Sequence, residues 1–171
     1  MALTVEDGTG VSGAEAYVSV ADADTYWGNR THSSFYTTWN AASSGEKEGA
    51  LREAAGHLDA RYGRFYRGHR KGYVQGLQWP RSNAFDDAGF LLPELPQEIV
   101  DANADLAVRA LSAALSSDAA RGGMVKRNKV DGAVEREFFE GASPETKYGQ
   151  IETMLGPVLN GMQRGGSWHW R

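Results

Sequence analysis

Residues 43–63, SSGEKEGALREAAGHLDARYG, decide the fold class. Leu51, Ala54, Ala55, Leu58 and Tyr62 recur there at spacings of three and four, while Glu48, Arg52, Glu53 and Asp59 fill the remaining positions. That is the period of an α-helix with one apolar stripe and one solvated face. Gly63 supplies a C-terminal stop. Gly49 and Gly56 lie inside the helix and each weakens it by about 1 kcal/mol relative to alanine. The segment is therefore predicted to need support from packing, including packing by a neighbouring subunit.

A second helix is predicted in QEIVDANADLAVRALSAALSSD, residues 97–118, with Pro96 in its first turn. Ile99, Leu106, Ala110 and Ala113 form one stripe, and Val100, Ala107, Leu111 and Leu115 the next. So broad an apolar face predicts the central helix. Leu51, Leu58, Trp79, Ile99, Leu106 and Leu111 are expected to be buried together.

Outward from these two helices the signals are shorter. Ser19 precedes VADADTYWGNR, where a serine cap and first-turn acids favour a helix ending near Gly28 or Asn29. The residues up to 42 read as a polar loop containing Trp39, and residues 82–96 as a loop punctuated by Pro93 and Pro96. Asp131–Gly132 between two runs rich in Val, Phe and charge predicts a β-hairpin over Val125–Phe139. A last helix is expected over Glu145–Leu159, broken late by Gly156–Pro157. The predicted fold is mainly α: a small helical bundle with a β-hairpin and extended N- and C-terminal arms. Residues 1–160 form one domain in this reading, and residues 161–171 a flexible arm.

The 171-residue chain has no cysteine, which excludes disulfide scaffolds, thiol nucleophiles and cysteine-based zinc sites. Its first residues have neither a basic leader nor an apolar core of the kind a secretory signal needs. No apolar run approaches the length of a membrane span, so no membrane partner is expected.

Charge is unevenly distributed. Residues 61–81, RYGRFYRGHRKGYVQGLQWPR, carry six Arg and Lys and no acid, so the rest of a chain of net charge −4 sums to −10. Tyr62, Phe65, Tyr66, Tyr73 and Trp79 are interleaved with those cations. Cations for phosphates and rings for bases are what a sequence-tolerant single-strand binder needs. A loop whose rings pack under helices while its arginines face water or acids would look the same in sequence.

Other motifs are weaker. Gly8-Thr9-Gly10-Val11-Ser12-Gly13 matches the spacing of a dinucleotide fingerprint, but that chemistry requires a helix N-terminus directly after the loop. Residues 14–20 alternate like an extended segment, so a glycine-rich turn is expected. His32, His57, His69 and His169 show no metal-ligand spacing, and His57 reads as a boundary histidine of its helix. Asp86–Asp87 reads as a solvated turn. No catalytic constellation, metal site or cofactor is expected.

In order along the chain, VEDGTGVSGAEAYVSVADADTYW, ALREAAGHLDARY, QGLQWPR, DDAGF, LPQEIVDANADLAVRAL and GGMVKRNKVDGAVEREF resemble a family of small tailed-bacteriophage proteins encoded near portal and capsid genes. The family is often labelled DnaT-like single-stranded-DNA-binding, and its arrangement resembles the head-to-tail adaptors, or connectors. The resemblance implies a structural virion protein in the neck, assembled in the host cytoplasm as a dodecameric ring. Its implied partners are the portal protein, a tail-proximal neck or stopper protein, and packaged double-stranded DNA in the channel. The alternative is a single-stranded-DNA-binding replication accessory.

On the adaptor reading, Arg64, Arg67, Arg70 and Lys71 are expected at a portal or subunit contact. Trp168, Trp170 and Arg171, on a glycine-hinged tail with the composition of an interface hot spot, are expected to join them by docking into a partner. Lys126, Arg127 and Lys129 are the candidate DNA-facing residues.

Overall fold

The computed structural model describes residues 2–116 and 147–160. The chain divides into two compact units, Met1–Leu115 with Gly149–Arg171, and Ser116–Tyr148. All helices and strands below belong to the first. The expected hairpin at 125–139 and the residues 161–171 lie outside the described residues, together with Lys126, Arg127, Lys129, Trp168, Trp170 and Arg171.

Helix α1 spans Val20–Gly28, α2 Ser34–Ala41, α3 Ser44–Tyr62, α4 Gln97–Ala110 and α5 Gly149–Met154. Serine begins each of the first three. Ser19 accepts from the Asp22 amide and Ser33 from the Phe35 amide, while Ser43 and Glu46 form a reciprocal capping box. Two-residue strands β1 (His69–Arg70) and β2 (Arg81–Ser82) pair antiparallel. The architecture is thus mainly α with a small hairpin, as expected, although this hairpin lies inside the basic stretch.

Helix α3 packs most extensively on α4. Leu51, Leu58, Trp79, Ile99 and Leu106 are fully buried, and the Trp27 and Trp39 rings extend this core under α1 and α2. Leu106→Ala is expected to cost about 2–5 kcal/mol, because surroundings of a fully buried leucine collapse only in part. Denaturant unfolding reads this directly, and an unchanged midpoint would place Leu106 outside the core.

Three expectations need correction. Leu111 is only half-buried, because α4 stops at Ala110 and the chain turns before its apolar period can continue. Residues 34–41, expected as loop, are helical. Trp39 buries its ring there, donates from Nε1 to Asp24 at 2.7 Å and lies under Lys47 Nζ at 5.2 Å. The last described helix is also short: Gly149–Met154 is followed by a 3-10 turn at Gly156–Val158, with Pro157 inside that turn.

One buried side chain links the N-terminal segment to the bundle. Asn103 of α4 accepts from the Tyr17 amide at 2.8 Å and donates to the Leu51 carbonyl of α3 at 3.1 Å. The segment before it is pinned by Glu6, whose amide donates to the Ala16 carbonyl. The Glu6 carboxylate is 2% exposed and accepts from the Gly8, Gly10 and Val11 amides, each at 2.9 Å. Gly8 and Gly10 have φ of +93° and +89°, which turns those amides inward. The glycine-rich loop is the expected turn, and its amides cradle a carboxylate of the chain itself.

Candidate functional site

The basic stretch begins where α3 ends. The Gly63 amide closes the helix on the Asp59 carbonyl, a 3-10 turn covers Gly63–Phe65, and the chain then runs past Val158–Asn160. Tyr66 and Trp79 are buried edge to face, with centroids 5.9 Å apart. These rings act as core rather than as exposed stacking platforms.

The arginines hold the loop together. Arg81 donates from Nε to the Arg67 carbonyl at 2.7 Å, from Nη2 to the Gly68 carbonyl at 2.8 Å and from Nη1 to the Gln78 carbonyl at 3.3 Å. Burial draws its pKa below the ordinary arginine value. Arg67 donates to the Phe85 carbonyl at 3.0 Å and pairs with Asp87, and its side chain is only 12% exposed. Arg70 donates to the Gln75 carbonyl, and Lys71 pairs with Glu94 at 2.9 Å. Arg64 is exposed, its guanidinium 4.6 Å from the Phe65 ring centroid.

Of the residues expected at a contact, Arg64, Arg70 and Lys71 lie on the surface. Arg67 is turned inward as a brace between the stretch and the loop after it.

What the stretch exposes beside these cations is apolar. Gln75, 4% exposed, accepts from the Gly72 amide at 2.7 Å and donates to the Leu77 and Pro80 carbonyls. That clamp fixes a tip on which Tyr73 is 97% and Val74 72% exposed. Asp86 works in the same way in the next loop. Its Oδ1 accepts from the Ala88 and Phe90 amides, and its own amide donates to the Phe90 carbonyl. Phe85 and Leu91 face each other in an isolated antiparallel bridge, and Phe85, Phe90 and Leu91 are all exposed. Both loops hold apolar side chains in water on a fixed backbone. Asp86, expected as a solvated turn, is the residue that fixes the second.

The Leu77–Arg81 block is anchored through Asp59. Tyr17 Oη donates to Asp59 Oδ1 at 2.6 Å, and the Gln78 amide donates to Asp59 Oδ2 at 2.9 Å. The Trp79 amide donates to Tyr17 Oη at 3.3 Å. Burial pushes the Asp59 carboxyl up to about 6, against the opposing pull of Tyr17, Gln78, Arg70 and Arg81. Its folded pKa therefore stands above its unfolded value. The associated stability is fully present below about pH 4 and is lost as pH rises through about 6.

Thermal unfolding of the parent and Asp59→Asn chains should show this. The stability of the parent relative to the variant should fall by on the order of 1–3 kcal/mol between pH 4 and pH 7.5. Parallel pH profiles would remove Asp59 as the titrating anchor.

Among the described residues, no group of His, Cys, Asp and Glu is placed to hold a metal ion. No helix there is long and apolar enough to cross a membrane. The Glu6 cradle, the Asn103 link and the Gln75 clamp are buried polar devices that residue spacing does not reveal. For Glu6 the run Glu-x-Gly-x-Gly was the available signal. A family model described as "Putative DnaT-like ssDNA binding protein" matches residues 1–171. No curated protein and no solved structure matches the chain.

Proposed function

We propose that this chain, which belongs to the DnaT-like single-stranded-DNA-binding family along its whole length, is a structural assembly protein of a phage virion: a head-to-tail adaptor. On this reading it forms a ring by heterologous contacts beneath the portal, continues the DNA channel and offers a platform to the next neck protein. It carries out no catalysis and resides in the virion neck, with assembly in the host cytoplasm.

One observation carries the proposal. In the stretch that looked most like a nucleic-acid surface, Arg67, Arg70 and Arg81 bind the chain's own carbonyls, while Tyr73 and Val74 at its tip, and Phe85, Phe90 and Leu91 in the loop after it, are held out in water. Guanidiniums occupied in this way are poor phosphate ligands, whereas preorganised apolar tips suit a protein partner. Trp168, Trp170 and Arg171 add a second contact element, and Lys126, Arg127 and Lys129 are assigned to the channel side.

The experiment is coassembly with a phage portal protein from the same virion, followed by light scattering and electron microscopy. The adaptor reading expects a ring on the portal that Tyr73→Ser with Phe90→Ser prevents. Failure of the parent chain to join the portal contradicts it.

The description of its family favours a second reading, a single-stranded-DNA-binding accessory protein. Exposed Arg70 and Lys71 beside Tyr73 would be its contact. That reading requires tight binding to an oligonucleotide without any portal.

A further inference from the structure

We propose that the apolar face formed by Phe85 and Leu91 is the docking site of this chain's own residues 161–171, which it holds through Trp168 and Trp170. Four observations support this occupant.

The first is where the described chain ends. The Arg67 amide donates to the Val158 carbonyl at 3.0 Å, Tyr66 bridges Leu159, and the Asn160 amide donates to the Phe65 carbonyl. The described chain thus ends beside Phe65–Arg67, and the Arg67 side chain spans from there to Phe85 and Asp87. The site is one arginine side chain from the exit.

The second is reach. Eight residues from Asn160 to Trp168 extend to about 28 Å at most, and Gly161, Gly165 and Gly166 let the segment turn back.

The third is charge. Residues 161–171 carry Arg164 and Arg171 and no acid, whereas residues 82–98 carry Asp86, Asp87, Glu94 and Glu98 and no base; Asp87 already meets Arg67 and Glu94 already meets Lys71, so the acids beyond those pairs are Asp86 and Glu98. Complementary charge fixes register and excludes wrong partners.

The fourth is spacing. Phe85 and Leu91 are directly opposite each other in their bridge and share one face. Trp168 and Trp170 are two residues apart, the spacing that puts side chains on one face of any extended chain. Two rings meet two apolar side chains, and the loop beneath them is already fixed by Asp86. Little ordering entropy is then needed on the acceptor side.

A protein partner that used Phe85 and Leu91 would compete with the tail for them. The inference does not depend on the adaptor reading, since no portal takes part in its test.

The chain supplies its own probe. Trp27, Trp39 and Trp79 are at most 2% exposed, so among the five tryptophans Trp168 and Trp170 are the pair whose iodide quenching reports on docking. The difference between the parent chain and Trp168→Phe with Trp170→Phe isolates that pair. The expected result is a shielded pair, and a several-fold rise in its quenching constant in Phe85→Ser with Leu91→Ser. Both substituted residues are exposed, so the fold tolerates the change. A tail pair already as quenchable as free tryptophan in the parent overturns the proposal.

The absence of native cysteine permits a second readout. Leu91→Cys with Trp168→Cys should oxidise to a disulfide within one chain, seen as monomer mass after nonreducing separation. Covalent dimers would assign the tail to a neighbouring copy and overturn the assignment to its own body.

Discussion

Glu6→Ala is expected to destabilise the protein by about 3 kcal/mol, lowering the melting temperature by roughly 10 °C. The buried carboxylate accepts from the Gly8, Gly10 and Val11 amides. Hydrogen bonds to a charged acceptor contribute about 1.5–3 kcal/mol each. Gly10 and Val11 are half-buried, so water can replace part of what is lost, and the full sum is not expected. The truncated side chain leaves a concave row of amides, so formate at high concentration should restore part of the stability by mass action. The parent chain should show no such response, because its own carboxylate fills the site. A loss below about 1 kcal/mol would contradict the cradle.

The second large effect is expected at Asn103→Leu, which keeps the branched side-chain shape, adds some volume and removes both hydrogen-bonding groups. Asn103 is fully buried between α4, α3 and the N-terminal segment. Its loss orphans the buried Tyr17 amide, which costs the desolvation of that donor. The Leu51 carbonyl loses one partner while helix geometry still offers it the amide four residues on. About 2–4 kcal/mol is therefore expected, measured by denaturant unfolding. Asn103→Asp should also be destabilising, since it keeps the acceptor for Tyr17 but puts a second acceptor against Leu51. A neutral effect of Asn103→Leu would show that water reaches the Tyr17 amide.

Helices α1, α3 and α4 were legible because their signals are local. Serine at 19, apolar residues at helical spacing and a glycine stop at 63 all coincide with the observed ends. Helix α2 was hidden by its composition: SFYTTWNA is rich in aromatic and β-branched residues of modest helix propensity. Trp39 packing against Asp24 and Lys47 outweighs that propensity, and Ser33 as a cap was the signal available. Strands of two residues have no period to detect.

At the site, composition showed a cationic and aromatic stretch correctly and could not show where its cations point. Arg81 meets the Arg67 and Gly68 carbonyls only because the chain reverses between β1 and β2. That reversal rests on Gln75, a residue with no signature in a one-dimensional reading. The same holds for Asp59, an unremarkable acid of a helix face until the Tyr17 hydroxyl and the Gln78 amide close over it.

The central claim is that residues 61–81 form a protein-facing surface braced by its own arginines. Fluorescence anisotropy of a labelled oligothymidylate, titrated with the full chain at physiological salt, tests it most directly. Binding no tighter than about 10 µM, of the weak and salt-sensitive non-specific kind, is expected, and Arg64→Glu with Arg70→Glu should change it little in absolute terms. Sub-micromolar binding that survives physiological salt and is abolished by the same charge reversal would contradict the claim, and would make residues 61–81 a single-stranded-DNA site.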